Sequence, residues 1–454
     1  MNDTMLREAM DRFVRVCSAV DVHGMMVSVG GETKARVYWE PFREGQPHRM
    51  YSVSKTMTAL AIGLLAGDGC ISLDAPVTGY FPEYVTPRTD PRLLRLTLRD
   101  MLRMATCYTK TTYREGVDEN WAETFFTAVP SHEPGTCFHY DTSCSQVLAA
   151  LVAKKSGEQV IDFLNRRLFG PLGLRDERYW LRDPSGCCQG GTGLCMSLRD
   201  MHRVALMVMR GGEGLVDAGF IAEMTRCQID TGIRGMTEEE RQGYGWQMWR
   251  HRGGWWMYGM GGQIAACWPE KQVLLCTIAD TRLYPQGIHQ IFQAFEELVL
   301  PLLDEGSPDL GSWTVLPERT PLAPDDPRRH GHFGPYTFAE NPLGLRSLTL
   351  DGETLRYENA RGLCEVPLAL EARQETRWPG WPGVPALVRG KWLAEDVLLV
   401  RCNAIGDAPC GFEMRLCLRD GCVTVQCRRS NDPVTVGYDG VASGYRCGEG
   451  RHAE

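Results

Sequence analysis

The sequence predicts an α/β domain over residues 1–304, a connection over 305–335 and an antiparallel, barrel-like β domain over 336–454. Three observations carry this. Short apolar or β-branched runs stand at both ends of the first domain, and strongly helical patterns fill its middle. The stretch Asp304–Pro335 is rich in Pro, Gly and Asp, which reads as a domain boundary. Beyond it the pattern is almost entirely alternating. At roughly 150 residues per domain, a chain of 454 residues accommodates this division.

The first stretch, MNDTMLREAMDRFVRVCSAV, reads as an amphipathic helix, with Met5, Met10, Phe13, Val14 and Cys17 near helical spacing. Met25–Val29 and Ala35–Trp39 are strand-like and flank Gly30-Gly31, a hairpin turn. Residues 52–67 form a helix apolar on nearly all sides, stopped by Gly67-Asp68-Gly69. Ser145–Lys155 and then Val160–Leu168 continue the helical pattern. Ser197 followed by Asp200 starts a further helix that ends at Gly211-Gly212. Strand signals return at Tyr244–Trp249, Trp255–Tyr258, Gln263–Trp268 and Val273–Ala279, before a last helix over 287–303. In the second domain, Arg346–Leu350 and Glu353–Tyr357 flank the hairpin signal Asp351-Gly352. Phe412, Met414, Leu416 and Leu418 alternate up to a turn at Asp420-Gly421, and Cys422–Arg428 follows.

Composition excludes several function classes. Lys and Arg number 49 against 57 Asp and Glu, a net charge of −8, so there is no basic field for nucleic acid. No apolar run approaches the roughly 18 residues that span a bilayer, and the N-terminus lacks the apolar centre of a secretory signal. The 18 cysteines are scattered, often inside apolar runs, and read as reduced hydrophobes in a cytoplasmic protein. Neither metal nor cofactor is expected. Cys187-Cys188 with Cys195 is too irregular for zinc, and His132-Glu133 lacks a second histidine at zincin spacing. Gly-x-Ser-x-Gly, phosphate-loop and dinucleotide fingerprints are all missing.

What remains is Ser52-Val53-Ser54-Lys55 at the opening of the apolar helix. Ser-x-x-Lys places both side chains on one face of the first turn. Among Met57, Leu60, Ile62 and Leu64, a lysine loses solvation, which lowers its pKa and lets it act as a base. A serine at a helix N-terminus gains from unpaired N–H groups when its carbonyl adduct becomes an oxyanion. The plain alternative is an N-cap serine beside a lysine that reaches solvent.

Residues 51–77, YSVSKTMTALAIGLLAGDGCISLDAPV, resemble the active-site helix of the serine β-lactamase and penicillin-binding-protein superfamily, in its class C-like branch of esterases, D-aminopeptidases and amide hydrolases. LTLRDMLRMAT (96–106), PGTCFHYDTSCSQVLAALVAKKSG (134–157), FGPLGL (169–174), GGTGLCMSLRDMHRVALMVMRGGE (190–213), GYGWQMW (243–249) and YGMGGQIAACWPEKQVLLCTIAD (258–280) follow in the family's order. The resemblance covers roughly residues 10–303 and implies a β-lactamase-like fold, an antiparallel sheet flanked by helices with a helical subdomain. It also implies roles: Ser52 as nucleophile, Lys55 as its general base, Tyr140 as second proton shuttle. The backbone N–H groups of Ser52 and Gln263 would form the oxyanion hole, with Gly261 and Gly262 where substrate must approach closely.

Two positions depart from the family pattern. Thr142 stands where Asn or Ser is usual, and Met260 stands where Lys or His anchors a substrate carboxylate. A neutral ester or amide is therefore the expected substrate, with Met260, Tyr258, Trp246, Trp255 and Trp256 lining its pocket or, equally, filling the sheet core. The expected function is a serine hydrolase working through an acyl-enzyme. An acyltransferase would share that intermediate, and a binding protein that only keeps the fold is the non-catalytic alternative. The C-terminal domain has three open roles: capping the site, forming a homodimer or holding part of the substrate.

Overall fold

The computed structural model describes residues 3–232, 237–284, 286–316, 331–368, 374–405, 410–419, 421–430 and 437–446, with Arg328 and Leu370. Part of the expected connection, and Asp420 of the expected turn, lie outside these residues.

The first domain is built on a seven-stranded sheet. Towards one edge lies the hairpin β1 (Val22–Val29) and β2 (Glu32–Trp39), which turns through Gly30 and Gly31 at positive φ. β1 pairs antiparallel with Val273–Ala279, which pairs with Gln263–Trp268, then Gly254–Gly259, then Trp249–His251. Ser312–Val315, from the stretch read as connection, adds a parallel edge strand to β2. The inner strands β1, Gln263–Trp268 and Val273–Ala279 are buried along their whole length, which suits their near-continuous apolar runs, whereas the edge strand Ser312–Val315 is not.

On one face lie α1 (Asp3–Ala19) and the last helix, where Phe13 and Phe295 meet at 5.5 Å. Leu6, Met10, Phe13 and Cys17 of α1 are buried, whereas Met5, expected on the apolar side, is 52% exposed. The last helix continues from Gly287–Ala294 through a π turn at Phe295–Val299 and a 3-10 turn at Leu300–Leu302. α2 (Val53–Gly67) is buried from Val53 to Leu65, as a helix apolar on all sides requires. It packs against the helix Thr142–Ser156, which closes on Gly157 at φ +74°.

Tyr244–Met248 does not form the expected strand. Tyr244 makes only isolated bridges to Ile229 and Trp249, and Gln247 sits at φ +53°. That left-handed residue breaks the two-residue alternation. No helix among the described residues is long and apolar enough to cross a membrane.

The second domain is a ten-stranded antiparallel sheet with its own core, including Leu348, Leu355, Trp378, Val400, Phe412 and Val425. The Asp351-Gly352 hairpin joins Ser347–Asp351 to Thr354–Asn359. The sheet curls until Leu368, just after its first edge strand, accepts a hydrogen bond from the Gly390 N–H of Trp381–Ala394, giving a barrel-like outline.

Candidate active site

Ser52 is the N-cap of α2. The residue before it, Tyr51, is held at φ +45° with its ring buried, a strained turn that sets Ser52 at the mouth of the helix. A three-stranded sheet of His48–Arg49, Leu194–Met196 and Tyr179–Trp180 ties this turn to a distant segment. The Met50 N–H donates to Leu194 O at 2.7 Å, and the Leu194 N–H donates to Ser54 Oγ at 3.0 Å. These bonds bring Gly190 and Gly191 to the first turn of α2.

Lys55 is almost fully buried. Its Nζ donates to Ser52 Oγ at 3.1 Å and to the Gly191 carbonyl at 2.8 Å. Burial lowers its pKa from 10.5 to about 7, opposed by the nearby Asp141 carboxyl when that is ionised. The lysine is therefore poised between charged and neutral forms near neutral pH. Gly191 allows this geometry because a Cβ there would stand 3.1 Å from Lys55 Nζ and 2.5 Å from Thr142 Cγ2. The same turn is fixed by Thr58 Oγ1, which donates to Gly190 O at 2.8 Å, and by the Gly190 N–H, which donates to Gln146 Oε1 at 2.9 Å.

Tyr140 reaches the same point from the loop before the helix Thr142–Ser156. Lys55 Nζ lies 5.0 Å from its ring centroid, and the ring stacks on Trp249 at 5.4 Å. Tyr140 is 36% exposed, open to the cleft, yet the protein packed around it desolvates the phenol and raises its pKa above the usual value, while hydrogen bonds with Ser52 and Trp249 oppose the rise. The phenol therefore stays protonated at neutral pH. Asp141 caps the helix, accepting from the Ser143 N–H at 2.9 Å and from Thr106 Oγ1 at 3.3 Å. Its burial raises its pKa to about 6 against these bonds.

The cleft over Ser52 encloses about 590 Å³ and is lined by Tyr140, Trp249, Tyr258, Met260, Tyr284 and Ile288, with Gly261, Glu240, Arg282 and His289 among the rest. Met260 projects into it, 48% exposed. Tyr258 stacks on buried Trp256 at 4.7 Å. Arg282 is held by Asp280, at 2.7 Å from Nε and 3.2 Å from Nη2, so its charge is already matched.

The remaining expected residues divide. Thr142 lies behind the Ser52–Lys55 pair, against Gly191, and Gly262 sits at φ +99° with its backbone carbonyl bonded by Thr277 Oγ1 at 2.8 Å. Gln263 is fully buried at the start of its strand. Its Nε2 donates to the Met260 and Ala279 carbonyls at 3.0 and 2.8 Å, and its Oε1 accepts from the Ala279 N–H at 3.2 Å. Those bonds fix the turn that presents Met260 and Gly261.

Trp246 does not line the cleft. It is buried against Phe220 at 4.9 Å, with the Arg99 guanidinium over its ring at 5.4 Å. Trp255 and Trp256 are likewise sheet core. The tryptophan that faces the cleft is Trp249, which sequence reading passed over, as it did the Gly191 carbonyl, Arg282 and Tyr284. Gln247 accounts for the exchange. Its left-handed backbone is locked by its own carbonyl accepting from Thr56 Oγ1 at 2.7 Å, and by its side chain, which accepts from Ser145 Oγ at 2.6 Å. This turns Trp246 inward.

Residues 6–282 match the Beta-lactamase family model. The chain belongs to the Beta-lactamase family. Among curated relatives, Esterase EstB of Burkholderia gladioli is 28% identical over 194 residues, covering 38% of this chain and 48% of the relative. The 6-aminohexanoate-dimer hydrolase of Paenarthrobacter ureafaciens is 25% identical over 224 residues, covering 46% and 56%. The chain thus spans about half the length of the curated relatives it matches. Of solved structures, SurE with D-Leu aligns over 98% of this chain and all of its own, with a TM-score of 0.55 at 18% identity. EstCE1, a hydrolase with promiscuous acyltransferase activity, aligns over 64% and 98% with a TM-score of 0.53 at 16% identity. These likenesses establish a β-lactamase-like fold followed by a separate, barrel-like β domain.

Proposed function

We propose that this Beta-lactamase family protein is a serine hydrolase that cleaves small, neutral esters or amides through an acyl-enzyme on Ser52. The observation that carries the reading is the contact of a buried lysine of pKa about 7 with Ser52 Oγ at 3.1 Å. In its neutral form Lys55 takes the Ser52 proton as Oγ attacks the substrate carbonyl. The Ser52 and Gln263 N–H groups receive the developing oxyanion. Support for that placement comes from Gly259, where a Cβ would lie 2.3 Å from Met50 O, so the 259–263 turn runs beside the backbone leading to Ser52. Tyr140, kept protonated, gives its proton to the leaving group and regains one through Lys55. Water then attacks the ester on Ser52, Lys55 takes the water's proton, and that proton returns to Ser52 Oγ as the acyl–oxygen bond breaks and the acid leaves.

The substrate class follows from the lining. Met260 replaces a cation, Arg282 is matched by Asp280, and the walls are mostly aromatic or aliphatic. The names of the two curated relatives, an esterase and a dimer hydrolase, agree with ester or amide cleavage. Steady-state hydrolysis of a p-nitrophenyl ester series tests the reading. Ser52→Ala is expected to lower kcat/KM by about 10³-fold or more, and free acid is expected as the main product even with an alcohol present. Unchanged turnover in Ser52→Ala would refute it, and preferential formation of a new ester would replace hydrolysis by acyl transfer.

A further inference from the structure

We propose that His132, Cys137 and His139 form a zinc site that clamps the loop delivering Tyr140. One ligand atom from each residue lies within 4.8 Å of the others. The rings of His132 and His139 face each other at 5.1 Å. The three come from one loop, which the backbone pins to residues 104–107. The Ser131 N–H donates to Cys107 O at 2.9 Å, the Gly135 N–H to Ala105 O at 2.8 Å, and the His139 N–H to Met104 O at 2.9 Å. These backbone bonds hold the loop without using the ligand atoms; Cys137 Sγ itself accepts a long hydrogen bond from Thr136 Oγ1 at 3.8 Å.

The hydrogen bonds around His132 point to a metal. Its Nε2 is buried and has no hydrogen-bond partner, an unfavourable state for a polar atom. Its Nδ1 lies 2.8 Å from Ser131 Oγ, and that hydroxyl donates onward to Cys107 O at 3.3 Å. With its proton committed to the carbonyl, Ser131 Oγ accepts from Nδ1–H, which leaves the lone pair on Nε2. A ligating histidine needs this tautomer, oriented by a bond from its other nitrogen.

Two imidazoles and a thiolate select a borderline or soft ion over calcium or magnesium. Zinc at about 2.0–2.1 Å from nitrogen and about 2.3 Å from sulfur draws two nitrogens and one sulfur in tetrahedral positions to within roughly 3.3–3.6 Å of one another. Cys137 is exposed and can close that gap by side-chain rotation. Binding releases the thiol proton, and the fourth position falls to solvent. His139 directly precedes Tyr140 and Asp141, so the ion would fix the backbone at the point where the phenol enters the cleft. Metal binding itself does not depend on the proposed hydrolase function; only its consequence for Tyr140 does.

The test uses the full chain stripped with a chelator and titrated with Co²⁺ as a spectroscopic substitute, then with Zn²⁺ in competition. The expected result is one equivalent bound, with a near-ultraviolet thiolate-to-cobalt band that is absent in Cys137→Ser. His132→Ala is expected to weaken zinc by at least about 100-fold, since losing even an outer partner of a ligand costs about 10–100-fold. Circular dichroism of Cys137→Ser, altered only at an exposed side chain, verifies that the fold is kept. No saturable binding in the wild-type chain would overturn the proposal. So would a thiolate band or zinc affinity that survives in Cys137→Ser, since the metal would then sit on other cysteines.

Discussion

Burial within α2 lowers the Lys55 pKa to about 7 by stripping its solvation, even though Gly191 O and Ser52 Oγ accept its protons and favour the charged form. The rate of acylation should therefore rise about tenfold per pH unit below neutrality and level off above about pH 7. Stability gives an independent check. The unfolded lysine holds its proton up to 10.5 and the folded one only to about 7, so the unfolded state binds more protons across that window. Stability contributed at this residue then rises with pH between those values. Lys55→Met is expected to lack both features: no esterase activity, and a Tm that changes less than wild type between pH 7 and 10. A wild-type activity profile flat from pH 5 to 9 would contradict the role. The burial and lowered pKa of Lys55 were legible in the sequence because a lone lysine in an otherwise apolar helix must give up solvation when the helix is buried. Its second partner was not, since Gly191 O arrives from a segment 136 residues away.

The helix Thr142–Ser156 illustrates what an element contributes. Asp141 caps its N-terminus and directly follows Tyr140, so one residue sets both the helix start and the phenol position. Asp141→Ala should cost about 1 kcal/mol in stability from the lost cap, measured by chemical denaturation. If Tyr140 shuttles protons as proposed, Asp141→Ala should also lower kcat more than it raises KM. An unchanged kcat would separate the cap from the site. Most elements were visible in their periodicity, including β1, β2, α2 and the strands Gln263–Trp268 and Val273–Ala279. The failures have local physical causes. Gln247 at φ +53° converts an expected strand into an irregular turn and exchanges Trp246 for Trp249 in the cleft. Ser312–Val315 is too short to stand out from a Pro/Gly-rich stretch, and gains its strand character from β2. The His132–Cys137–His139 cluster follows no spacing common among zinc sites, and only the fold of the loop brings it together.

At the scale of the molecule, the β domain touches the wall of the cleft. Arg401 stacks over the Tyr284 ring at 5.3 Å and pairs with Glu413, and Gly411 packs near Leu283, with room for only a 3.1 Å approach to a Cβ. Tyr284 lines the cleft over Ser52, so the second domain braces one side of the substrate site. Arg401→Ala is expected to raise KM several-fold for bulky esters with kcat nearly constant, as follows when binding common to ground and transition states is lost. Equal kinetics for small and bulky esters in the variant would argue against a brace. The division into an α/β domain and an alternating-strand domain was readable from pattern alone, but their contact was not, because Arg401 and Tyr284 are far apart in the chain and neither belongs to a motif.

The claim that joins these scales is that Ser52 is an activated nucleophile. Its most direct measurement is reaction with a fluorophosphonate followed by peptide mass mapping. The adduct should lie on Ser52, form more slowly below pH 7 and vanish in Lys55→Met. An adduct on another residue, or none at all from the folded protein, would contradict the account.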